Sequence, residues 1–138
     1  MRNQHILSRL CVLLLFVLAG CTGGDDQTGG SAPVISGLEL DPTTATVGSL
    51  ETMRGSLVFE DPDGDVLELH SSIASPTGGE MPVPPAMIAG AAGTTAGAVS
   101  VQLSIQFVAL GDHTVRVWVR DAQGNDSNAL TRTIAVGE

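Results

Sequence analysis

The 138-residue chain has few of the residues that bind nucleic acid or cross-link a fold. It contains no lysine, and its six basic residues are all arginine, against 15 aspartates and glutamates. Nucleic acid is therefore not an expected partner, nor is an anionic lipid surface bound through protein charge, because both require clustered positive charge. Cys11 and Cys21 are the only cysteines, which excludes a disulfide-rich framework.

Candidate catalytic residues are also scarce. Beyond residue 20 the only histidines are His70 and His113, and neither has a cysteine or second histidine at metal-ligand spacing. No serine stands in a G-x-S-x-G elbow, and no glycine-rich phosphate loop opens a helix. The sequence therefore predicts a protein that is not an enzyme.

The first 20 residues have the anatomy of a signal peptide. Arg2 and Arg9 supply positive charge, and the run LCVLLLFVL at 10–18 is continuously apolar. The run ends in the small residues Ala19 and Gly20, as signal peptides do before their cleavage site. It has about half of the ~20 apolar residues that span a bilayer. A permanent transmembrane helix is therefore not expected.

The junction Leu18-Ala19-Gly20-Cys21 resembles the lipobox of bacterial lipoproteins. The resemblance implies that Cys21 is lipidated on sulfur, that cleavage precedes it, and that the new amine is acylated. Two or more acyl chains make membrane anchoring stable, since each buried methylene contributes about 0.8 kcal/mol. The resemblance places the chain in the bacterial cell envelope. Thr22 after the cysteine, instead of aspartate, favours the outer over the inner membrane.

Removal of residues 1–20 changes the composition of the chain. Cys11 is lost and Cys21 is modified, so the mature chain has no intramolecular disulfide and depends on packing. It keeps 15 acidic residues against four arginines, a net charge of −11. The Gly-rich polar segment 21–32 predicts a flexible tether. Residues 33–138 suffice for one sandwich-sized domain.

Alternation of apolar and polar residues with a period of two dominates residues 33–138. It predicts strands at 34–40, 53–59, 66–71, 99–107, 115–119 and 130–136, separated by turn signals. Ser75–Gly97 is rich in Pro, Gly and Ala with a short apolar piece at 86–89, and this segment is predicted to hold one weak edge strand in a long loop. In the predicted strand 130–136, the alternation places Arg132 on the side that faces the core. A β-bulge, or a position at the sheet edge from which the side chain reaches solvent, would accommodate it.

These six clear strands and one weak strand, without any helical period, predict an all-β fold. The expected architecture is a single immunoglobulin-like antiparallel β-sandwich of about seven strands. The segments FEDPDGDV at 59–66 and GDHTVRVWVRDAQGNDS at 111–127 resemble bacterial immunoglobulin-like modules of the PKD and cadherin-like type. The chain departs from antibody domains, since it lacks their cysteine pair and has no tyrosine for a tyrosine corner.

The resemblance and the lack of catalytic residues favour a non-catalytic binding or structural module at the cell envelope. Its expected contact is another envelope protein, a glycan or the same module on a neighbouring chain. Two alternatives are a calcium-dependent adhesion module and an accessory subunit of a secretion, transport or secreted-enzyme complex.

Two acidic turns form the candidate metal site, and they follow the strands predicted at 53–59 and 115–119. Their oxygen-bearing residues are Asp61, Asp63, Asp65, Asp121, Asn125 and Asp126. In an immunoglobulin-type topology both turns lie at one end, where their oxygens could bind Ca²⁺, which takes six to eight oxygen ligands. The alternative is that Asp, Asn and Gly simply build exposed turns. The glycine of DPDGD is misplaced for an EF-hand loop.

Trp118 is the only tryptophan, and it lies between Arg116 and Arg120 on the outward side of a predicted strand. Two interpretations are open. Arginine side chains cover the indole in a cross-strand stack, or the three residues form a patch that faces a partner or a glycan.

The predicted topology also orients the domain. The first strand begins beside the acidic turns, so the tether would enter there and turn that end towards the membrane. The membrane-distal end would then hold the turns after the first and fifth strands, the segment Ser75–Gly97 and Glu138.

Overall fold

The computed structural model describes residues 29–138. The predicted signal peptide 1–20, Cys21 and most of the predicted tether lie outside the described residues. Eight strands follow in chain order: β1 (Val34–Asp41), β2 (Thr44–Thr46), β3 (Leu50–Glu60), β4 (Val66–Ala74), β5 (Glu80–Met87), β6 (Ala96–Gln106), β7 (Gly111–Asp121) and β8 (Leu130–Gly137). Within Gly29–Glu138, no helix is long and apolar enough to cross a membrane.

The strands form two sheets that pack face to face. One has the order β1-β3-β6 and the other the order β2-β8-β7-β4-β5. All neighbouring pairs are antiparallel except β2 and β8, which run parallel. The all-β, immunoglobulin-like sandwich predicted from the period-two pattern is confirmed, with eight strands instead of about seven.

The core lies between the sheets and is built from the inward side of each strand. In β6 the odd-numbered residues from Val99 to Ile105 are buried and their even-numbered neighbours are exposed. β7 contributes three valines, Val115, Val117 and Val119, which are completely buried. Burial of these apolar side chains is the main favourable contribution to folding, and residues 29–138 contain no cysteine that could add a disulfide.

The edge strand predicted within Ser75–Gly97 is confirmed. β5 covers Glu80–Met87 and includes only the start of the apolar piece 86–89. It contains Pro82, Pro84 and Pro85, which interrupt a strand pattern, but β5 is an outer strand that pairs only with β4. Prolines are tolerated there because an edge strand needs no second set of N–H donors.

β2 was not predicted, since Thr44–Thr46 is too short to show alternation.

Arg132 is exposed although it is in phase with the buried Ile134. β2 borders β8 only over residues 135–137. Arg132 therefore lies at an edge position and reaches solvent, so of the two predicted alternatives, a bulge or an edge position, the edge position is the one observed.

The sandwich has two ends with different turns. The acidic end consists of the turns 61–65 and 122–129 and the start of β1. The far end consists of the turns 47–49, 75–79 and 107–110. The segment Ser75–Gly97 was expected at the far end alone, and this is wrong, because β5 carries the chain back. Its later residues lie at the acidic end, where the Gly93 N–H donates to the Gly64 carbonyl at 2.7 Å.

Candidate functional site

The two acidic turns meet at one end of the sandwich, as predicted. The backbone N–H of Ala122 donates to the Asp65 carbonyl at 2.9 Å. The side-chain amide of Gln123 donates to Asp65 Oδ2 at 2.8 Å. Residues about 60 positions apart in sequence are thus in direct contact because β3 and β7 both end here.

Asp61 holds the first turn together. Its side chain is fully buried, and its carboxylate accepts the backbone N–H of Asp63 at 3.3 Å and of Asp65 at 2.8 Å. Gly64 completes the turn with φ +67°, a left-handed conformation that favours glycine. The buried carboxylate therefore replaces backbone partners that the loop lacks.

Asp121 has the same role in the second turn. It is buried, and its Oδ1 accepts the backbone N–H of Gln123 at 2.9 Å and of Asn125 at 2.7 Å. Its Oδ2 accepts a third bond from Asn125 Nδ2 at 2.7 Å. Gly124 has φ +92°. Both turns thus share the pattern Asp-x-x-Gly-(Asp/Asn), in which the first carboxylate binds the amides two and four residues later.

The end of the tether is bound to these turns. The Gly30 N–H donates to Gln123 Oε1 at 2.6 Å, and Asn125 Nδ2 donates to the Gly30 carbonyl at 3.1 Å. The Ser31 N–H donates to the exposed carboxylate of Asp63. The chain therefore enters the sandwich beside the acidic turns, as the predicted topology requires.

The six candidate calcium ligands have different hydrogen-bond partners and different exposure in the structure. Asp61 and Asp121 use their oxygens for hydrogen bonds within the turns, and Asp126 is exposed and paired with Arg120. Among residues 29–138, no group of three or more His, Cys, Asp or Glu is arranged to hold a metal ion. Asp65 Oδ1 is buried without a hydrogen-bond partner. Calcium binding stays a prediction.

Trp118 lies on the outer face of β7 and is covered on this face by two neighbours. The Arg116 guanidinium lies 5.2 Å from the centre of the indole ring. His70, opposite Trp118 on β4, stacks on the indole at 5.4 Å with an interplanar angle of 21°. Arg120 turns away to Asp126. The arrangement is a cation–π stack with one arginine, and binding by this patch stays a prediction.

Three residues with defined roles were not anticipated. Gln123 joins the tether to both turns. Asn128 accepts the Ile35 N–H at 2.8 Å and donates to the Ile35 carbonyl at 2.9 Å, so its side chain bonds β1 as a neighbouring strand would. His70 covers Trp118. Their partners lie on separate strands or turns, far along the chain and beyond any local sequence signal.

The Arg120–Asp126 pair gives a prediction about pH. Arg120 donates to both carboxylate oxygens, at 2.7 and 2.9 Å, and these hydrogen bonds, with its charge, lower the pKa of Asp126. A carboxyl with a lowered folded-state pKa stabilises the fold above its ordinary pKa, and this contribution disappears as pH falls through the folded-state pKa. This contribution of Asp126 to the free energy of unfolding should be small because the Arg120–Asp126 pair is exposed.

We expect Arg120→Gln to raise the pKa of Asp126 towards its ordinary value in a carboxyl NMR titration. Arg116→Gln is the matched control, since Arg116 contacts Trp118 and not Asp126. An Asp126 pKa that is equal in the wild type and in Arg120→Gln would contradict the assignment.

Comparisons with solved structures identify the fold. A PKD domain of an M14-like peptidase from Thermoplasmatales archaeon SCGC AB-540-F20 aligns with a TM-score of 0.50 and 20% identity, covering 80% of this chain and 100% of the domain. A Niemann-Pick type C2 protein from the Japanese carpenter ant aligns with a TM-score of 0.50 and 10% identity, over 80% of this chain and 96% of that chain.

An alkylpurine DNA glycosylase, AlkC, from Pseudomonas fluorescens aligns with a TM-score of 0.51 and 17% identity, over 79% of this chain and 31% of the enzyme. No family model and no curated protein matches the sequence. At such low identities these similarities establish architecture and not activity. The described chain is an immunoglobulin-like β-sandwich similar to a PKD domain.

Proposed function

We propose that this protein is a lipid-anchored component of the bacterial cell envelope that carries a non-catalytic binding or structural module. The use of its acidic residues supports the non-catalytic part of the proposal. The buried carboxylates of Asp61 and Asp121 accept backbone N–H groups within their own turns, so they build loops instead of flanking a cleft. An immunoglobulin-like sandwich similar to a PKD domain is a scaffold suited to binding at its turns and faces.

The entry of the chain supports the orientation in this proposal. Gly30 and Ser31 bind the acidic turns, so an anchor at Cys21 turns the acidic end towards the membrane. The far end, which includes the end of β8 at Gly137, then points away from it. The contact we propose is with another envelope protein, with a glycan or with the same module on a neighbouring chain, and the outer membrane is the favoured location.

Metabolic labelling with an alkyne analogue of palmitate tests the anchor. The wild-type chain should take up label and sediment with membranes, whereas Cys21→Ser should lose the label because its side chain cannot form a thioether. Cys11→Ser is the matched control, since Cys11 lies inside the predicted signal peptide and should leave labelling intact. Equal labelling of the wild type and Cys21→Ser would refute the lipid anchor. Density-gradient separation of labelled membranes distinguishes outer from inner membrane.

Calcium-dependent adhesion is the second candidate, and one observation favours it. Asp65 Oδ1 is buried at the junction of the two turns and has no hydrogen-bond partner, which is costly for a carboxylate oxygen. A bound cation would supply the missing partner.

If calcium binds there, millimolar CaCl₂ should raise the melting temperature, because a ligand of the native state stabilises it. Asp65→Asn should remove this increase. Asp112→Asn should retain it, since Asp112 is exposed and is the second residue of β7, at the far end. Identical melting curves of the wild type with and without calcium would refute the candidate.

A further inference from the structure

The far end of the sandwich is a contiguous surface without charge in any of its three turns. The turns read VGS at 47–49, SPTGG at 75–79 and FVAL at 107–110. They touch one another: the Gly48 N–H donates to the Phe107 carbonyl at 2.7 Å, and Pro76 lies against Gly111. At the acidic end, by contrast, the turns 61–65 and 122–129 each carry aspartate.

This surface is unusually apolar for an exposed part of the chain. Leu50 is 70% exposed, Met81 57%, Val108 85% and Leu110 50%. These four are half of the large hydrophobic residues that residues 29–138 leave exposed. Clustered exposed apolar residues mark contact surfaces more often than scattered ones do.

A cleft of about 280 Å³ opens within the same surface. Ile73, Ile105, Phe107 and His113 line its inner part, and Met81 and Val108 line it with exposed side chains. The His113 ring packs edge-on against Phe107 at 4.9 Å, which holds the wall in place. A cleft of this size accommodates an apolar side chain, and it lies at the small end of the range of about 300–1,000 Å³ that is typical of ligand pockets.

Acidic residues lie at the strand ends that meet the far-end turns. Each of four strand ends at the far end adjoins one acid: Glu51, Glu80, Asp112 and Glu138. Glu80 also lines the cleft. The four arginines among the described residues lie within β3, β7 and β8, and none is in a far-end turn. The surface therefore combines an apolar centre with a negatively charged rim, as protein interfaces combine an apolar core with a polar rim.

We propose that the far end binds a protein segment that inserts an apolar side chain between Met81 and Val108 and places lysine or arginine against the acidic rim. This rests on the proposed function as a binding module and names its surface and its partner class. Charge complementarity selects this occupant. A second copy of the chain would bring the same acidic rim against itself, and an anionic lipid surface would be repelled. The cleft is mainly apolar and offers a glycan few polar partners.

Selection from a phage-displayed library of random short peptides tests the proposal, with the full chain in phosphatidylcholine nanodiscs as the target. Enriched peptides should carry an apolar residue flanked by lysine or arginine. Their binding should weaken about tenfold on Val108→Ser or Met81→Ser, because each removes apolar contact area. Binding should also weaken on Glu80→Gln and with added salt.

Met87→Ser is the matched control for Met81→Ser. Both methionines are exposed on β5, but Met87 is at its other end, so this variant should bind as the wild type does. Two further probes cover the other occupants: a labelled second copy of the chain and vesicles of phosphatidylglycerol.

Three outcomes would overturn the proposal. The first is that no peptide is enriched, the second that binding is indifferent to Val108→Ser and Met81→Ser, and the third that the second copy or the vesicles bind the far end in place of peptides. Palmitate labelling remains independent of these results. Peptide binding without palmitate labelling would reject only the envelope anchor. Palmitate labelling without peptide binding would reject only this surface.

Discussion

Replacing Asp121 by alanine should lower the free energy of unfolding by about 3 kcal/mol, because three hydrogen-bond donors lose a charged acceptor at once. They are the backbone N–H groups of Gln123 and Asn125 and the side-chain amide of Asn125. The carboxylate is buried, so water replaces it only if the turn opens. Urea unfolding should show a lower midpoint with an unchanged slope, the mark of lost stability without a changed denatured state.

Asp121→Asn separates charge from geometry in this prediction. Asparagine keeps an Oδ1 that can accept the Gln123 and Asn125 amides, so its loss should be smaller than that of alanine. Asp112→Ala is the control for removing an acid, since Asp112 is exposed, and it should leave the midpoint nearly unchanged. Similar losses for Asp112→Ala and Asp121→Ala would show that the buried bonds do not stabilise the turn.

Gly55→Ala should destabilise the domain by about 3 kcal/mol or more, since overpacking at a rigid contact forces the backbone to move. A Cβ atom at Gly55 would overlap the Glu39 carbonyl oxygen and lie 3.0 Å from Leu40 Cα. Both neighbours are backbone atoms of β1, beside the register shift between Ser36 and Glu39. A new methyl group therefore separates β1 from β3.

Gly137→Ala is the matched control for Gly55→Ala. Gly137 also lies in a strand, but no atom is within 4 Å of the place that an alanine Cβ would take, and its φ is not positive. Thermal unfolding of both variants should show a large fall in melting temperature for position 55 alone. Equal melting temperatures would mean that β1 can shift without loss and that the close approach is not required.

Gly55 also shows how far the sequence could predict the fold. The period-two pattern over 53–59 placed Met53, Leu57 and Phe59 correctly inside, because alternation depends only on local geometry. The same pattern treated Gly55 as one more inward position. Its real constraint comes from the bulged part of β1, a contact between separate strands that no local pattern contains.

The candidate site was also predictable from the sequence only in part. The meeting of the two acidic turns was predictable from the topology of the sandwich. The burial of Asp61 and Asp121 was not, because exposure depends on how neighbouring loops pack. The His70–Trp118 stack required the register of β4 against β7, and the predicted strands carried no information about register.

The bonding of Gly30 and Ser31 beside the start of β1 has a mechanical consequence. β1 runs from the acidic end towards the far end and is antiparallel to β3, with its hydrogen bonds perpendicular to the strands. With the proposed membrane anchor and the proposed far-end partner in place, tension between them would act along β1. The six residue pairs that join β1 to β3 are then loaded in shear and resist together, whereas a pull across the sheet would separate them one after another.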